Sequence, residues 1–412
     1  MAALAGRLDQ RGHEVTIFGI ADSEAVVRAA GVRFGLIGEK DYPLGTLQKL
    51  DDRLSELKGF ASSRFTLERI RDTAKMELRD GPEAARKARV EGLLVDEADF
   101  GGSVADYLRI PFVSVALIPP LLPDNRFPPF YFQWKAGEDV FRRARNQVAI
   151  SFLTRVATPI FKVVNDQREA WGIGAFKETK EALSPLAQVT QMPRAFDFDI
   201  AAMPEGLYHT GPFVDPQQRR AIDFDWSRLD GRPLIYASLG TLQNGMEGLF
   251  RTIAKACSGL DAQLVMSLGG GLHPERLGPL EGDAVVVRFA PQLEILKRAA
   301  VVITHGGINT VLESLSEGVP LVVMPLGNDQ PGVAARVDAH GVGKILSSHN
   351  VSAEKLRKAV KTVLEDGKYA TAAKRMQLEM SKVDGLEVAA DIIETAFGIG
   401  ESAKTLASAA AS

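Results

Sequence analysis

Several features that mark particular classes of protein are scarce in this chain. Cys257 is the single cysteine among 412 residues, which excludes an internal disulfide, and we expect it to pack in a helix as a small apolar group. No uninterrupted apolar run reaches the roughly 18 residues that cross a bilayer, and the longest, Ile110 to Pro123, is broken by prolines. Arg7 follows only a few apolar residues, so no secretory signal is indicated. These absences predict a soluble, cytoplasmic protein.

An excess of charge of one sign is also missing. The 49 basic and 52 acidic residues give a net charge of −3 and are interspersed along the chain, so no overall field would recruit nucleic acid. The six histidines show no metal-ligand spacing, and no GxGxxG opens a helix after a strand, which disfavours an NAD-dependent oxidoreductase. The length and the 45% hydrophobic content predict two domains with well-filled cores.

The most informative stretch runs from Phe289 to Gln330. Val301 to Thr304 is a β-branched run typical of a strand buried on both faces. His305, Gly306 and Gly307 follow at its end, and a helix is predicted to begin directly after them. Two residues without Cβ in front of a helix N-terminus let an anion reach free backbone N–H groups. The pattern therefore predicts an anion site at the end of this strand.

Polar side chains around this point suit the parts of a nucleotide sugar. In a parallel sheet, ligands bind outside the carboxyl ends of the strands, and a second strand is predicted at 321–324. Taken singly, a histidine after a strand is more often structural and Gly-Gly is often only a turn, but their joint spacing favours a binding site. The candidates are His305, Asn309 and Thr310 for phosphate oxygens, Glu313 for the ribose hydroxyls, and Asp329 and Gln330 for the sugar hydroxyls.

These residues resemble the donor-binding signature of glycosyltransferase family 1, the UDP-glycosyltransferases, in its bacterial form. The resemblance implies the α/β GT-B fold, in which two facing Rossmann-like domains contain parallel sheets, and transfer of a sugar with inversion and without a metal or other cofactor. The segments SLGTLQNG and NDQPGVAARV are most similar to the carotenoid and macrolide glucosyltransferase branch. The matching residues are Ala290-Pro291-Gln292, Thr304-His305-Gly306-Gly307, Asn309-Thr310, Glu313, Gly318-Val319-Pro320, Pro325 and Asp329-Gln330.

The family resemblance assigns roles within a larger donor site. It implies that Phe289 stacks under uracil, that the Ala290 backbone reads the base edge, and that Gln292 and Glu313 hold the ribose. Ile308 stands where plant members carry Trp. The predicted donor-binding residues are Ser238, Gly240, Thr241, Phe289, Ala290, Gln292, His305, Gly307, Asn309, Thr310, Glu313, Asp329 and Gln330.

The first domain is expected to lack a strand. The first ten residues read as a helix and Val15 to Phe18 as a buried strand, whereas a doubly wound domain begins with a strand. In the family, the missing strand is central and the loop after it carries the histidine that serves as general base, so we expect a truncated chain with little turnover. Asp96, at the end of a strand, matches the carboxylate that orients that histidine; capping of the next helix is the alternative. His13 is expected to be structural.

A loop rich in proline and aromatic residues follows the strand predicted at Pro111 to Leu117. Its aromatic side chains are candidates for the wall of an apolar acceptor pocket, and packing beneath the following helix is the alternative. That helix, Glu138 to Trp171, has arginines at its front, which indicate either a solvated basic face or contact with a membrane surface. The predicted acceptor-binding residues are Phe127, Phe130, Tyr131 and Trp134.

These patterns predict an acceptor-binding domain at 1–212, a linker at 213–232 within the aperiodic segment Tyr208 to Arg232, and a nucleotide-sugar-binding domain at 233–385. A helix at 386–398 is expected to return to the first domain, and 399–412 to be a disordered tail. The predicted activity moves a sugar, expected to be glucose, from a UDP-sugar to a hydroxyl of a small apolar acceptor. A nucleotide-sugar-binding protein without turnover and an epimerase of similar fold are the alternatives, and the chain is expected to be a monomer or weak dimer.

Overall fold

The structure, a computed structural model, describes residues 1–57, 60–219, 221–240, 246–349 and 351–399. Its strands are β1 (Thr16–Gly19), β2 (Arg33–Leu36), β3 (Leu93–Asp96), β4 (Phe112–Ala116), β5 (Gln188–Thr190), β6 (Leu207–His209), β7 (Leu234–Ser238), β8 (Gln263–Ser267), β9 (Val285–Val287), β10 (Ala299–Thr304), β11 (Leu321–Val323) and β12 (Gly343–Ile345). Its α-helices are α1 (Ala2–Gln10), α2 (Glu24–Ala29), α3 (Thr46–Glu56), α4 (Phe60–Lys87), α5 (Gly101–Leu108), α6 (Val140–Ala170), α7 (Glu247–Cys257), α8 (Gln292–Leu296), α9 (Ile308–Ser316), α10 (Gln330–Ala339), α11 (Ala353–Glu365), α12 (Gly367–Met380) and α13 (Gly385–Ala396).

The strands of the first half form two parallel sheets. Strands β3, β4, β5 and β6 lie side by side in that order, while β1 pairs with β2 in a separate sheet. Val113, Val115 and Val189 on the inner strands are fully buried, because a parallel sheet is covered on both faces. Among the described residues the β1–β2 pair and the four-stranded sheet are separate, and the missing central strand expected in this domain stays a prediction.

The second half is built on one six-stranded parallel sheet in the order β12-β11-β10-β7-β8-β9. Val301, Val302 and Ile303 of its central strand β10 are 0% exposed, as their continuous β-branched run predicts. Separate apolar clusters cover the two faces of the sheet, and Cys257 packs in one of them, where burial raises the pKa of its thiol to about 12. The prediction of an α/β fold with parallel sheets is therefore confirmed.

Two details of the chain's organisation differ from the sequence analysis. Tyr208 and His209 belong to strand β6, which pairs with β5, whereas their segment was predicted to be an aperiodic linker; three residues are too few for a periodic pattern to show. Strand β12 was not predicted, for the same reason. Of the predicted disordered tail, all but Ile399 lies outside the described residues.

Helix α13 packs against helix α1 in the first half. Leu386 and Ile393 of α13 share an apolar cluster with Leu4 and Leu8. Around this cluster, Arg7 pairs with Glu387, Arg11 with Asp391 at 2.5 Å, and His13 Nε2 lies 2.9 Å from Glu394. His13 therefore has the structural role expected for it.

A buried ion pair joins the two halves on the other side. Arg336 on α10 donates to Asp197 Oδ1 at 2.8 Å, and the two side chains are 3% and 0% exposed. His209 Nε2 lies 2.9 Å from the other carboxylate oxygen. Burial alone would raise the pKa of Asp197, but Arg336 and His209 hold it well below its usual range. The carboxylate therefore stays charged at the junction.

Candidate active site

At the end of β10, the His305 ring lies close to one glycine at the start of α9 and to another after β7. Gly307 is the N-cap of α9, and Gly306 has a φ of 92°. A Cβ added at Gly307 would lie 2.7 Å from the His305 ring, and one at Gly240, after β7, would lie 2.8 Å from it. Both distances are shorter than real side chains allow, so the glycines let the backbone of two strand ends close around the imidazole. The predicted start of the helix at Ile308 is observed, and the approach of an anion to Gly306 and Gly307 stays a prediction.

His305 is a neutral group in this setting. Burial lowers the pKa of its imidazole to about 4, so at neutral pH it is an uncharged donor or acceptor, with Nδ1 lying 3.3 Å from Thr304 Oγ1. The N-terminus of α9 therefore supplies the positive potential at this point through its unpaired N–H groups. The sequence predicted a contact of His305 with phosphate oxygens, which a neutral imidazole N–H can also make.

The two residues predicted to hold a ribose lie together. Gln292 Nε2 donates to Glu313 Oε2 at 2.6 Å, and the Tyr236 hydroxyl donates to Gln292 Oε1 at 3.0 Å. Glu313 is only 2% exposed, and its other oxygen accepts from Arg219, which comes from the segment between the two halves. Arg219 was not recognised in the sequence, because it lies 94 positions from its partner in an aperiodic stretch.

Phe289, three residues before Gln292 in the chain, forms an accessible aromatic surface. It is 43% exposed, which is unusual for a phenylalanine, and it lies two residues after the end of strand β9. A Cβ at Gly270 would overlap its ring, so the glycine loop after β8 lies close against one side. The Arg288 guanidinium lies 5.5 Å from the ring centroid. A planar base could stack on such a ring, while neighbouring Ala290 is buried.

Asp329 and Gln330 differ in their surroundings. Burial raises the pKa of Asp329 to about 6. Burial also raises the pKa of Tyr131, and the negative charge of Asp329 adds to that shift, so the two side chains lie near each other. Gln330 is 4% exposed, and its amide oxygen accepts from the N–H groups of Leu326 and Gly327 at 2.7 and 3.0 Å. Gln330 thus shapes the loop that precedes Asp329, and its predicted contact with sugar hydroxyls stays a prediction.

The other predicted donor residues are distributed around these groups. Ser238 and Thr310 are buried, and the exposed Asn309 accepts from Gln191 Nε2 at 3.0 Å. Gln191 follows β5 of the other half, so this hydrogen bond closes the two halves over the start of α9. Thr241 lies outside the described residues.

A cavity of about 1750 Å³ opens between the two halves. One side is contributed by the loops after β3 and β4 and by helices α3, α4 and α6; the other side includes Phe289 and the loops after β8, β11 and β12, with His349 among them. Such a volume exceeds that of a typical pocket for one small molecule. Among the predicted donor-binding residues that the structure describes, Phe289 is the one that lines the cavity.

The aromatic loop divides between the cavity and the core. Phe130 and Tyr131 line the cavity. Phe127 does not, because it is 2% exposed and packs with Phe198. Trp134 stacks on a neighbouring ring and lies under the Arg145 guanidinium, 4.5 Å from it. The acceptor-wall prediction for Phe127 and Trp134 is therefore wrong. Trp134 packs beneath the next helix, as the alternative expected, whereas Phe127 packs with Phe198, Ile200 and Ala335.

Carboxylates gather where β3 ends. Asp96 accepts from the Ala98 N–H at 3.0 Å, and burial raises its pKa; its side chain therefore caps this turn, while α5 begins only at Gly101. Glu97 accepts from Leu121 N–H at 2.8 Å and from Gln188, and burial raises its pKa to about 7.

Asp99, in the same turn, has an exposed side chain that lines the cavity, and the cavity walls surround it. Burial by these walls is the main cause that raises the pKa of Asp99, and the negative charge of Asp96 is the second. Glu77 on α4 is the hydrogen-bond partner of Asp99. Sequence analysis singled out only Asp96, although three acids within residues 96–99 were a usable signal. Within the described parts of the chain, no three His, Cys, Asp or Glu side chains are arranged to hold a metal ion.

Comparison with known proteins agrees with this geometry. The family model described as UDP-glucoronosyl and UDP-glucosyl transferase matches residues 154–384, more than half of the chain. The protein belongs to this family. The transferase is 30% identical over 401 residues to the zeaxanthin glucosyltransferase of Pantoea ananas, covering 97% of this chain and 93% of the relative. The corresponding enzyme of Pseudescherichia vulneris is 31% identical, covering 97% and 95%.

Solved structures support the fold of the transferase. The glycosyltransferase of kitacinnamycin aligns with a TM-score of 0.73 at 23% identity, covering 96% of this chain and 94% of that one. The calicheamicin glycosyltransferase aligns with a TM-score of 0.69 at 21% identity, with the same coverage. The GT-B arrangement expected from the sequence is confirmed. Family membership also means that the chain is an enzyme that transfers a sugar and uses a nucleotide-sugar donor. It does not favour the alternative function, a nucleotide-sugar-binding protein without turnover.

Proposed function

We propose that the enzyme transfers glucose from UDP-glucose to a hydroxyl of a small apolar acceptor, with inversion at the anomeric carbon. The observation that carries the proposal is the buried Gln292–Glu313 pair at 2.6 Å, with the exposed ring of Phe289 three residues before Gln292 in the chain. A carboxylate that accepts from two ribose hydroxyls, next to a ring on which a base stacks, suits a nucleoside. The start of α9 lies one turn before Glu313, where the diphosphate would follow.

The walls of the cavity support an apolar acceptor. Phe130, Leu122 and Ile118 contribute from the loop after β4, and Phe161 and Leu153 from α6. Extended apolar walls of this kind stabilise an apolar ligand by removing its surface from water. The relatives named zeaxanthin glucosyltransferase carry an apolar compound in their names, which is compatible with this acceptor class.

The proposed reaction is one in-line displacement. The acceptor oxygen forms a bond to the anomeric carbon as the bond from that carbon to the UDP oxygen breaks, and the hydroxyl proton passes to the Asp99 carboxylate. Asp99 faces the cavity, and its raised pKa makes it a better proton acceptor than an ordinary aspartate. The departing diphosphate is stabilised by the N–H groups at the start of α9. Asp329, across from Tyr131, is proposed to accept from the glucose hydroxyls.

A panel of donors with one matched pair of variants tests this assignment. UDP-glucose should be used in preference to TDP-glucose and to UDP-galactose, with an apolar alcohol as acceptor and released UDP as the readout. Asp329→Asn should lower transfer by about tenfold or more while UDP affinity changes little, since its contact is to the sugar. Asp338→Asn, at an exposed aspartate on the helix that Asp329 precedes, should leave both unchanged. Equal use of UDP- and TDP-sugars, or collapse of UDP binding in Asp329→Asn, would refute the assignment.

A further inference from the structure

Helix α6 presents an unusually apolar face to the outside of the molecule. Phe141, Val148 and Phe152 are 87%, 71% and 61% exposed. Their spacing of seven and four residues places them on one side of the helix. By length and composition, α6 is the one helix in the described parts of the chain that could cross a membrane.

The opposite side of α6 shows that the helix lies on the molecule and does not leave it. Asn146 is fully buried and donates to the Asn125 carbonyl at 2.9 Å. Arg168, 7% exposed, donates to Asp106 at 2.7 Å. A helix that crossed a bilayer would have to give up these polar partners. The apolar face is therefore suited to lie in an interface with the helix parallel to the surface.

Positive charge surrounds this face. In residues 139–155 four arginines stand against one aspartate. Arg142 is exposed and pairs with that aspartate, Asp139, at 3.2 Å, whereas the exposed Arg155 makes no ion pair with the described residues. Two copies of the chain that met face to face about a twofold axis would bring these same arginines together. An anionic surface would instead neutralise them.

The apolar face is continuous with the cavity. Phe152 is exposed to solvent and also lines the cavity, and its neighbours Ile150 and Leu153 line it as well. Leu54 and Leu57 at the end of α3 lie on the same cavity wall. A surface that covered the face of α6 would thus lie at the mouth through which an acceptor enters.

We propose that the exposed face of α6 docks on an anionic lipid bilayer, and that the acceptor is a lipophilic alcohol dissolved in that bilayer, which enters the cavity past Phe152. The identity of the acceptor rests on the proposed function, whereas the docking does not. A lipophilic acceptor would then reach the site without crossing water. The exposed phenylalanines insert at the level of the headgroups, and the arginines contact the lipid phosphates.

Sedimentation with vesicles tests the docking without donor or acceptor. The full chain should bind vesicles of phosphatidylcholine with about 30% phosphatidylglycerol, and bind pure phosphatidylcholine at least roughly tenfold more weakly, because each arginine near an anionic surface contributes. Phe141→Ser with Val148→Ser, neither of which lines the cavity, should reduce binding to the anionic vesicles by about tenfold or more. The matched control is Val26→Ser with Leu378→Ser, two side chains that are 71% and 65% exposed elsewhere; it should bind as the wild type.

Activity then separates docking from catalysis. The Phe141→Ser, Val148→Ser variant should transfer to a water-soluble alcohol at the wild-type rate, and transfer more slowly only to an alcohol embedded in anionic vesicles. Loss of both activities would mean that the face serves folding, and would overturn the proposal. Absence of wild-type binding to vesicles, equal binding by the variant and its control, or a wild-type dimer that the variant converts to a monomer would also overturn it.

Discussion

Replacing Glu313 by glutamine tests the ribose assignment most directly. The side chain is 2% exposed and accepts from Gln292 at 2.6 Å and from Arg219. A hydrogen bond to a charged group contributes about 1.5–3 kcal/mol, so loss of the carboxylate should weaken UDP binding by roughly 10- to 150-fold. Pyrophosphate has no ribose, so its affinity should change little. Isothermal titration calorimetry measures both.

A cycle with modified nucleotides separates a direct contact from a structural effect. For the wild type, 2′-deoxy-UDP and 3′-deoxy-UDP should bind more weakly than UDP, whereas Glu313→Gln should discriminate much less, since the lost acceptor and the lost hydroxyls belong to one interaction. Glu317→Gln, one turn later in the chain and less buried, is the matched control and should retain the wild-type discrimination. Full discrimination in Glu313→Gln, or equal losses for UDP and pyrophosphate, would refute the reasoning.

Two further predictions concern the junction and the base. Asp197→Asn should lower the apparent free energy of unfolding by about 3–5 kcal/mol in thermal or urea unfolding, because it leaves a buried guanidinium without its counter-charge; the exposed Asp199→Asn should change it little. Since the folded pKa of Asp197 is lowered, this stabilisation is present above its unfolded pKa of about 3.9 and is lost as the pH falls through the folded value. A variant as stable as the wild type at pH 7 would contradict the prediction. Asp99→Asn should reduce kcat by about 10²–10⁴. It should also remove the rise in kcat with pH that is expected in the wild type as the Asp99 carboxyl, whose pKa is raised, loses its proton. The control Glu91→Gln, at an exposed position, should keep the wild-type profile, and an unchanged profile in Asp99→Asn would place the base elsewhere.

Much of the second half could be predicted because its signals are local. The β-branched run of β10, the glycines after it and the periodicity of α9 lie within sixteen residues, so the order of elements follows from short-range patterns. The family resemblance implied that Gln292 and Glu313 hold the same ribose, whereas the hydrogen bond between them is seen only in the structure. The neutral state of His305 was not predicted, because it depends on burial by strands distant in sequence.

The contacts between the halves could not be predicted from the same patterns. Gln191 meets Asn309 across 118 positions, and Arg336 meets Asp197 across 139, and a single sequence contains no periodic signal for such pairs. The aromatic loop shows the same limit on a smaller scale. Its composition indicated that the rings must be covered, but the fold alone decides that Phe130 faces the cavity while Phe127 faces the core.

The close approach of Phe130 to helix α10 limits how this enzyme can be recombined. The Gly332 N–H donates to the Phe130 carbonyl at 2.7 Å, and a Cβ at position 332 would lie 2.7 Å from the Phe130 Cα. One wall of the acceptor cavity thus rests on a helix of the other half. A chimera that exchanges the halves at the segment between them would combine this wall and its support from different parents. Exchanges meant to transfer acceptor preference should therefore carry α10 together with the first half.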